Sequence, residues 1–350
     1  MVTATDSNFV LRLAAVLVTA GVILAHNPPH ASAAHAAPTT RALAGIVENV
    51  SAATGKRYQT RDNLGASMDG LKIVNNPRGG YLGVYHTTEA HRIHVSRVAT
   101  SPDMLTWTRR AVISPRASMP TIKVLTDGSV LIAEEADNNK SPKGSRTWIR
   151  VKHYRNVNAL LAGRAARSID LPHTQVPHLG AEGTPDIRNV RLRPDIGRST
   201  IVLGFHYFRD GEVDWQAHGL LTDFRDWRTA RIPARDRPIE QLGVRGNIGD
   251  RDTVVLDGRR LALVEGQGAA GDFGTWRIYL YDGRTARRMD IRSDAGSTAF
   301  ANPSVSLVRA PSGAPAIVVT LFVPQEGAAR GESGELVYYR VIGSRPAGVV

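Results

Sequence analysis

The chain contains no cysteine, so neither disulfides nor thiol chemistry can contribute to its stability or activity. Long apolar runs are scarce too. The run at 13–25 (LAAVLVTAGVILA) is short for a membrane span, follows Arg12, and precedes small residues in Ala-x-Ala spacing (HNPPHASAAHAAPTT). It reads as a secretory signal cleaved near Ala34 to Ala37, with an uncleaved anchor as the alternative. The expected organisation is a signal and cleavage region at 1–37 and a single domain at 38–350, secreted or wall-associated. No zinc, nucleotide or phosphate-loop motif is found, so no cofactor is expected, although an axial Ca²⁺ stays open.

What the chain does have is β-forming material. Among 350 residues, 42% are apolar, and 33 Gly and 19 Pro recur between short apolar stretches, which favours many short strands over long helices. A net charge of +12 suits an acidic polymer, a wall or a membrane surface as well as it suits a plain solvated basic surface, so it selects no partner.

The informative signal is an internal repeat. Five segments share a polar lead, an apolar strand, a Gly or Asp turn and a second apolar strand. They are SMDGLKIVNNPRGGYLGVYH, SMPTIKVLTDGSVLIAEE, GTPDIRNVRLRPDIGRSTIVLGFHYF, DRDTVVLDGRRLALVEG and NPSVSLVRAPSGAPAIVVTLFV. Aligned without gaps, they put Asp69, Pro120, Pro185, Asp252 and Pro303 in one column, at spacings of 51, 65, 67 and 51 residues. Third strands follow in HRIHVSRVAT, TWIRVKHY, DWQAHGLLT, TWRIYLYD and ELVYYRVI, and fourth strands in WTRRAVI, RSIDL and WRTARI. Such units cannot bury both faces alone and must stack around an axis. The fold expected is therefore all-β, a five-bladed β-propeller with four-stranded antiparallel blades. The fifth unit lacks an outer strand, which the N-terminal segment Gly45 to Ser51 (GIVENVS) is expected to supply.

SPDMLTW (Ser101 to Trp107) and LTDFRDW (Leu221 to Trp227) read as structural turns, in which an Asp accepts backbone N–H groups and a Trp packs between sheets. His91 and His94, three apart on an expected strand, point to opposite faces and make no metal site.

With these elements in place, the chain resembles the furanosidase-type five-bladed propellers of glycoside hydrolase families 43, 32 and 62. The stretch ATSPDMLTWTRRAVI is similar to their passage from third to fourth strand, and EGTPDI resembles their acidic EGP element. Thr184 intervenes before Pro185, Gly70 stands where a Pro usually follows the first catalytic Asp, and Glu182 falls in the third unit rather than the fourth. A weaker resemblance links SPDMLTW to the Asp-box of sialidase-type propellers.

The resemblance implies a ligand-binding mouth where the inner strands begin, and hydrolysis by carboxylates on opposite sides of a sugar. It implies Asp69 as general base, Glu182 as general acid and Asp252 as the carboxylate that orients substrate and tunes the acid. The polar leads and second-strand ends add His86, Glu135, Asp186, His206, Arg245, Asp250, Arg251 and Glu265 as substrate-binding candidates. Arg245 and Arg251 offer forked donors for an anionic sugar, although Arg251 equally suits neutralising its acidic neighbours. Carbohydrate is the expected partner, with no nucleic acid, no membrane insertion after cleavage, and a monomeric state. The competing readings are a non-catalytic carbohydrate-binding propeller, a sialidase-like exo-glycosidase and a structural wall-associated protein that uses its basic surface.

Overall fold

The computed structural model describes residues 33–137, 146–176, 180–209, 213–249 and 251–343. The apolar run at 13–25 of the expected signal and Asp250 lie outside them. One compact unit spans Pro38–Val350.

Five four-stranded antiparallel sheets form a five-bladed propeller. From inside outwards, blade 1 holds Asp69–Asn75, Tyr81–Thr88, His94–Ser101 and Thr108–Ser114. Blade 2 holds Ala117–Val124, Val130–Asp137, Thr147–Tyr154 and Arg167–Asp170. Blade 3 holds Glu182–Arg191, Thr200–Arg209, Val213–Thr222 and Asp226–Arg231. Blade 4 holds Arg251–Leu256, Arg259–Gln267, Trp276–Tyr281 and Ala286–Arg288, the last a fourth strand with no apolar pattern to announce it.

Blade 5 holds Ala301–Arg309, Pro315–Val323 and Gly334–Val341, and its outer strand comes from the N-terminal segment. That strand is Gly55–Arg57, ten residues beyond the expected start at Gly45, and it pairs with Val337 to Tyr339. Gly45 lies instead in helix Ala33–Val47. The reason is periodicity: Leu43, Ile46, Val47 and Val50 recur at helical spacing, and all four are buried in one cluster with Leu263, Ile278, Val319 and Tyr338. The Tyr338 hydroxyl donates to the carbonyl of Val47 at 2.8 Å, which fixes the end of the helix against the last blade. Helix and strand together close the ring.

Neighbouring blades share apolar clusters, as Leu82, Val84, Ile122, Ile132 and Tyr154 do between blades 1 and 2. Blade 4 is met from the blade 3 side by Ile239, Val244 and Ile248, from helix Pro233–Glu240 and the segment after it.

Both turn motifs set their Trp into the packing, and in the first the Asp also accepts backbone N–H groups. Asp103 accepts N–H bonds from Leu105 and Thr106 at 2.8 and 2.7 Å, and Trp107 is buried against Gly83. Trp227 covers Gly219 in the same way. His91 departs from expectation: it sits in a 3₁₀ turn with φ 60°, and only His94 belongs to the strand.

Candidate active site at the propeller mouth

The inner strands share a device that the ungapped alignment conceals. Four of them carry a register shift near their start, between Asp69 and Lys72, Ser118 and Thr121, Gly183 and Asp186, and Ala301 and Ser304. The first residue inside each bulge is left-handed: Gly70 at φ 62°, Met119 at 46°, Thr184 at 39° and Asn302 at 47°. The bulges therefore match Leu71, not Asp69, to Pro120, Pro185 and Pro303. Asp69 stands level with Ser118, Gly183 and Ala301, two positions before the proline column. A left-handed β-branched or bulky residue costs about 1–3 kcal/mol and persists only where its surroundings over-determine it.

Those surroundings are side chains from the preceding blade. Glu135 Oε2 accepts the Thr184 N–H at 3.0 Å, Glu265 Oε2 accepts that of Asn302 at 2.6 Å, and Glu335 accepts those of Gly70 and Leu71 at 3.2 Å. The imidazole Nδ1 of His86 faces the Met119 N–H at 3.5 Å. His86, Glu135 and Glu265 thus recur at second-strand ends because each clips the next blade's bulge. Gly183 makes one clip possible: a Cβ there would stand 1.9 Å from Glu135 Oε2.

The three carboxylates singled out by resemblance fare differently. Asp69 is half-buried and accepts a hydrogen bond from the Ser67 hydroxyl on Oδ1, while Oδ2 has no partner among the described residues. Burial raises its pKa above the ordinary carboxylate range, against the pull of Ser67 and of the nearby His94 and Arg61. Glu182 is buried, and its Oε1 accepts the N–H groups of Thr174, Gln175 and Val176 at 2.7, 2.5 and 3.3 Å. It organises the 174–176 turn. Asp252 is also buried, with Oδ2 accepting from Lys72 Nζ, from Ser304 Oγ at 3.0 Å and from Val305 N at 2.9 Å. Its Oδ1 takes the Thr253 N–H at 2.8 Å, so Asp252 ties blades 1, 4 and 5 together at the axis.

A different pairing gathers at the mouth. Glu135 is half-buried, its Oε1 has no partner among the described residues, and burial raises its pKa. His94 lies within electrostatic reach of both Asp69 and Glu135. The His94 ring meets that of His86 edge-on at 5.1 Å, and burial pushes the His86 pKa down to about 3, which keeps that imidazole neutral. Beside Glu135, His206 Nδ1 shares a hydrogen bond with the Thr184 hydroxyl, and its Nε2 lies 3.7 Å from Asp214 Oδ1. Sequence reasoning missed His94, Thr184 and Asp214. The DW pair opening a third strand was the available sign for Asp214.

The other candidates lie elsewhere. Asp186 is buried and accepts from Arg188 Nε at 3.2 Å, lower on the axis. Arg245 spends Nη1 on the carbonyls of Glu240 and Val244, both at 3.0 Å. Arg251 opens the inner strand of blade 4, and its side chain lies outside the description.

The architecture defines a class, the five-bladed β-propellers that glycoside hydrolases also use. Among solved structures, the chain is similar to a thermostable family-43 glycoside hydrolase, with a TM-score of 0.51 and 10% identity over 84% of this chain and 98% of that one. It is similar to a GH62 hydrolase in complex with xylotriose, with a TM-score of 0.50 and 8% identity over 85% and 95% of the two chains. An α-L-arabinofuranosidase from Lactobacillus brevis gives a TM-score of 0.50 and 10% identity over 78% and 90%. At these identities the likeness is one of fold. No family model and no curated protein matches the chain.

Proposed function

We propose that the protein is a secreted glycoside hydrolase acting on glycans at the mouth formed by blades 1 to 3, with Asp69 and Glu135 as its two working carboxyl groups. The observation that carries this reading is that both are half-buried, both have pKa values raised by burial, and each keeps one oxygen unpartnered. A carboxyl kept protonated towards neutrality can protonate a leaving oxygen, and one beside it that ionises can activate water. Glu135 has the stronger claim to the acid role, because its clip to Thr184 fixes one oxygen and leaves the other to face substrate. Asp69 then serves as base. His94, which packs on the buried His86 ring, suits contacts with sugar hydroxyls.

The engagement of Glu182 with three amides and of Asp252 with Lys72 favours structural roles for both. It also supports the second reading, a propeller that grips carbohydrate without cleaving it. A screen of the purified protein against aryl furanosides, aryl pyranosides and wall polysaccharides separates the two. Turnover that falls in Asp69→Asn and Glu135→Gln supports hydrolysis, whereas glycan binding with no turnover supports the lectin-like alternative.

A further inference from the structure

Beyond the ring of bulges, the axis opens into a larger space. The volume on the mouth side, among Met119, Pro120, Pro185 and Pro303, is about 20 Å³, whereas the cavity along the second halves of the inner strands is about 410 Å³. Its wall carries Lys72, Lys123, Arg188 and Arg260 against two carboxylates, Asp186 and Asp252. Those acids are already matched, Asp252 with Lys72 and Asp186 with Arg188. Arg260 gives one N–H to the carbonyl of Arg188 at 3.0 Å and meets no carboxylate among the described residues. Lys123 is half-buried and has no hydrogen-bond or ion-pair partner among them. Its pKa is lowered by burial first and then by the neighbouring Lys72. Neither Lys123 nor Arg260 has an ion pair of its own among the described residues; Asp186 and Asp252 attract Lys123 across the cavity but are already bonded to Arg188 and Lys72, so an incoming anion would give both basic groups a direct partner.

We infer that this axial cavity is a binding site for a small oxyanion, a carboxylate or a phosphate, held by Lys123 and Arg260. It lies along the axis on the far side of the bulge ring from Asp69 and Glu135, and it is independent of any reaction at the mouth. Val255 and Leu307, 52% and 50% exposed, edge the same cavity, so an anion carrying a short aliphatic group has apolar surface to cover.

The test is calorimetric titration of the full chain with inorganic phosphate, then with acetate, then with butyrate, at low ionic strength. One saturable site per chain is expected, with phosphate and the carboxylates competing for it. Affinity should fall about tenfold or more in Lys123→Gln and in Arg260→Gln, because each removes a charged donor, and should survive in Lys123→Arg. Butyrate binding more tightly than acetate would add the aliphatic edge to the site. Should Lys123→Gln fail to fold, the exposed Arg260 carries the test alone. The inference is overturned if none of the three anions binds saturably, or if binding is unchanged in both charge-removing variants.

Discussion

Glu135 of blade 2 accepts the backbone N–H of Thr184 in blade 3 at 3.0 Å, and Thr184 sits at φ 39°, a conformation a β-branched residue adopts only under constraint. The contact joins the packing of two blades to the position of a carboxyl group at the mouth. Shortening Glu135 to Ala leaves that amide without its acceptor and should destabilise the fold by about 1–3 kcal/mol, measured by chemical denaturation. Glu135→Gln keeps an acceptor oxygen at the same place and should not destabilise the fold.

Gly183 offers a way to disturb the same carboxyl without touching it. A methyl group there would collide with Glu135 Oε2, so Gly183→Ala should push the carboxyl off the Thr184 amide. Turnover should fall by about tenfold or more, since small displacements of a catalytic group carry large kinetic penalties. Circular dichroism should stay that of a folded propeller.

Asp69 and Glu135 also make a prediction about pH. Both have folded-state pKa values raised by burial, so the folded protein binds more protons than the unfolded chain between the ordinary carboxylate range and the raised values. Their contribution to stability is greatest below the ordinary range and declines as pH rises through the raised values. Asp69→Asn and Glu135→Gln, which remove the ionisation, should therefore raise the Tm at neutral pH by roughly 1–3 °C each, and the gain should vanish in acid. A loss of Tm at neutral pH in both variants would contradict the burial argument.

Asp252 and Glu182 should behave as structural acids. Asp252→Ala strands the largely buried Lys72 and should cost about 3–5 kcal/mol, with Lys72→Met recovering part of the loss in the double variant. Glu182→Gln weakens a charge-assisted acceptor of three amides and should cost about 1–3 kcal/mol, yet leave kcat per folded molecule within about threefold of the parent.

Ring closure by the N-terminal segment is tested by deleting residues 38–57. The deletion removes Leu43, Ile46, Val47 and Val50, each buried and worth about 1.5–3 kcal/mol, together with the outer strand of blade 5. The sum rivals the whole stability of a typical domain, so the truncated chain should lose cooperative unfolding or aggregate through its open edge.

Much of the fold was legible because a blade writes itself as polar lead, apolar strand, turn, apolar strand, and the five repeats survive their different lengths. The closing strand was not, because Gly55–Arg57 (GKR) has no apolar residue, while the apolar pattern just before it belongs to a helix. The site was less legible still. The Ser-Met pairs at 67–68 and 118–119 look equivalent but lie two positions apart relative to the bulges, so the ungapped column set Asp69 beside three prolines that structurally match Leu71. The environment of Glu182 depends on where the amides of 174–176 fall, and that of Asp252 on Lys72 from another blade, neither of which any local pattern records. Glu135 was picked out only as a second-strand end, since its clip to Thr184 exists only once blades 2 and 3 are packed.

The central claim is that Asp69 and Glu135 together cleave a glycosidic bond, and its most direct measurement is steady-state turnover of the parent, Asp69→Asn and Glu135→Gln on one hydrolysed glycan and on its aryl glycoside with an activated leaving group. The account predicts a loss of about two orders of magnitude or more in both variants on the glycan, with substrate affinity little changed. On the activated aryl glycoside, Glu135→Gln should recover most of its rate, because that leaving group needs little protonation, and Asp69→Asn should stay inactive. Parental turnover of the glycan by both variants would contradict the account.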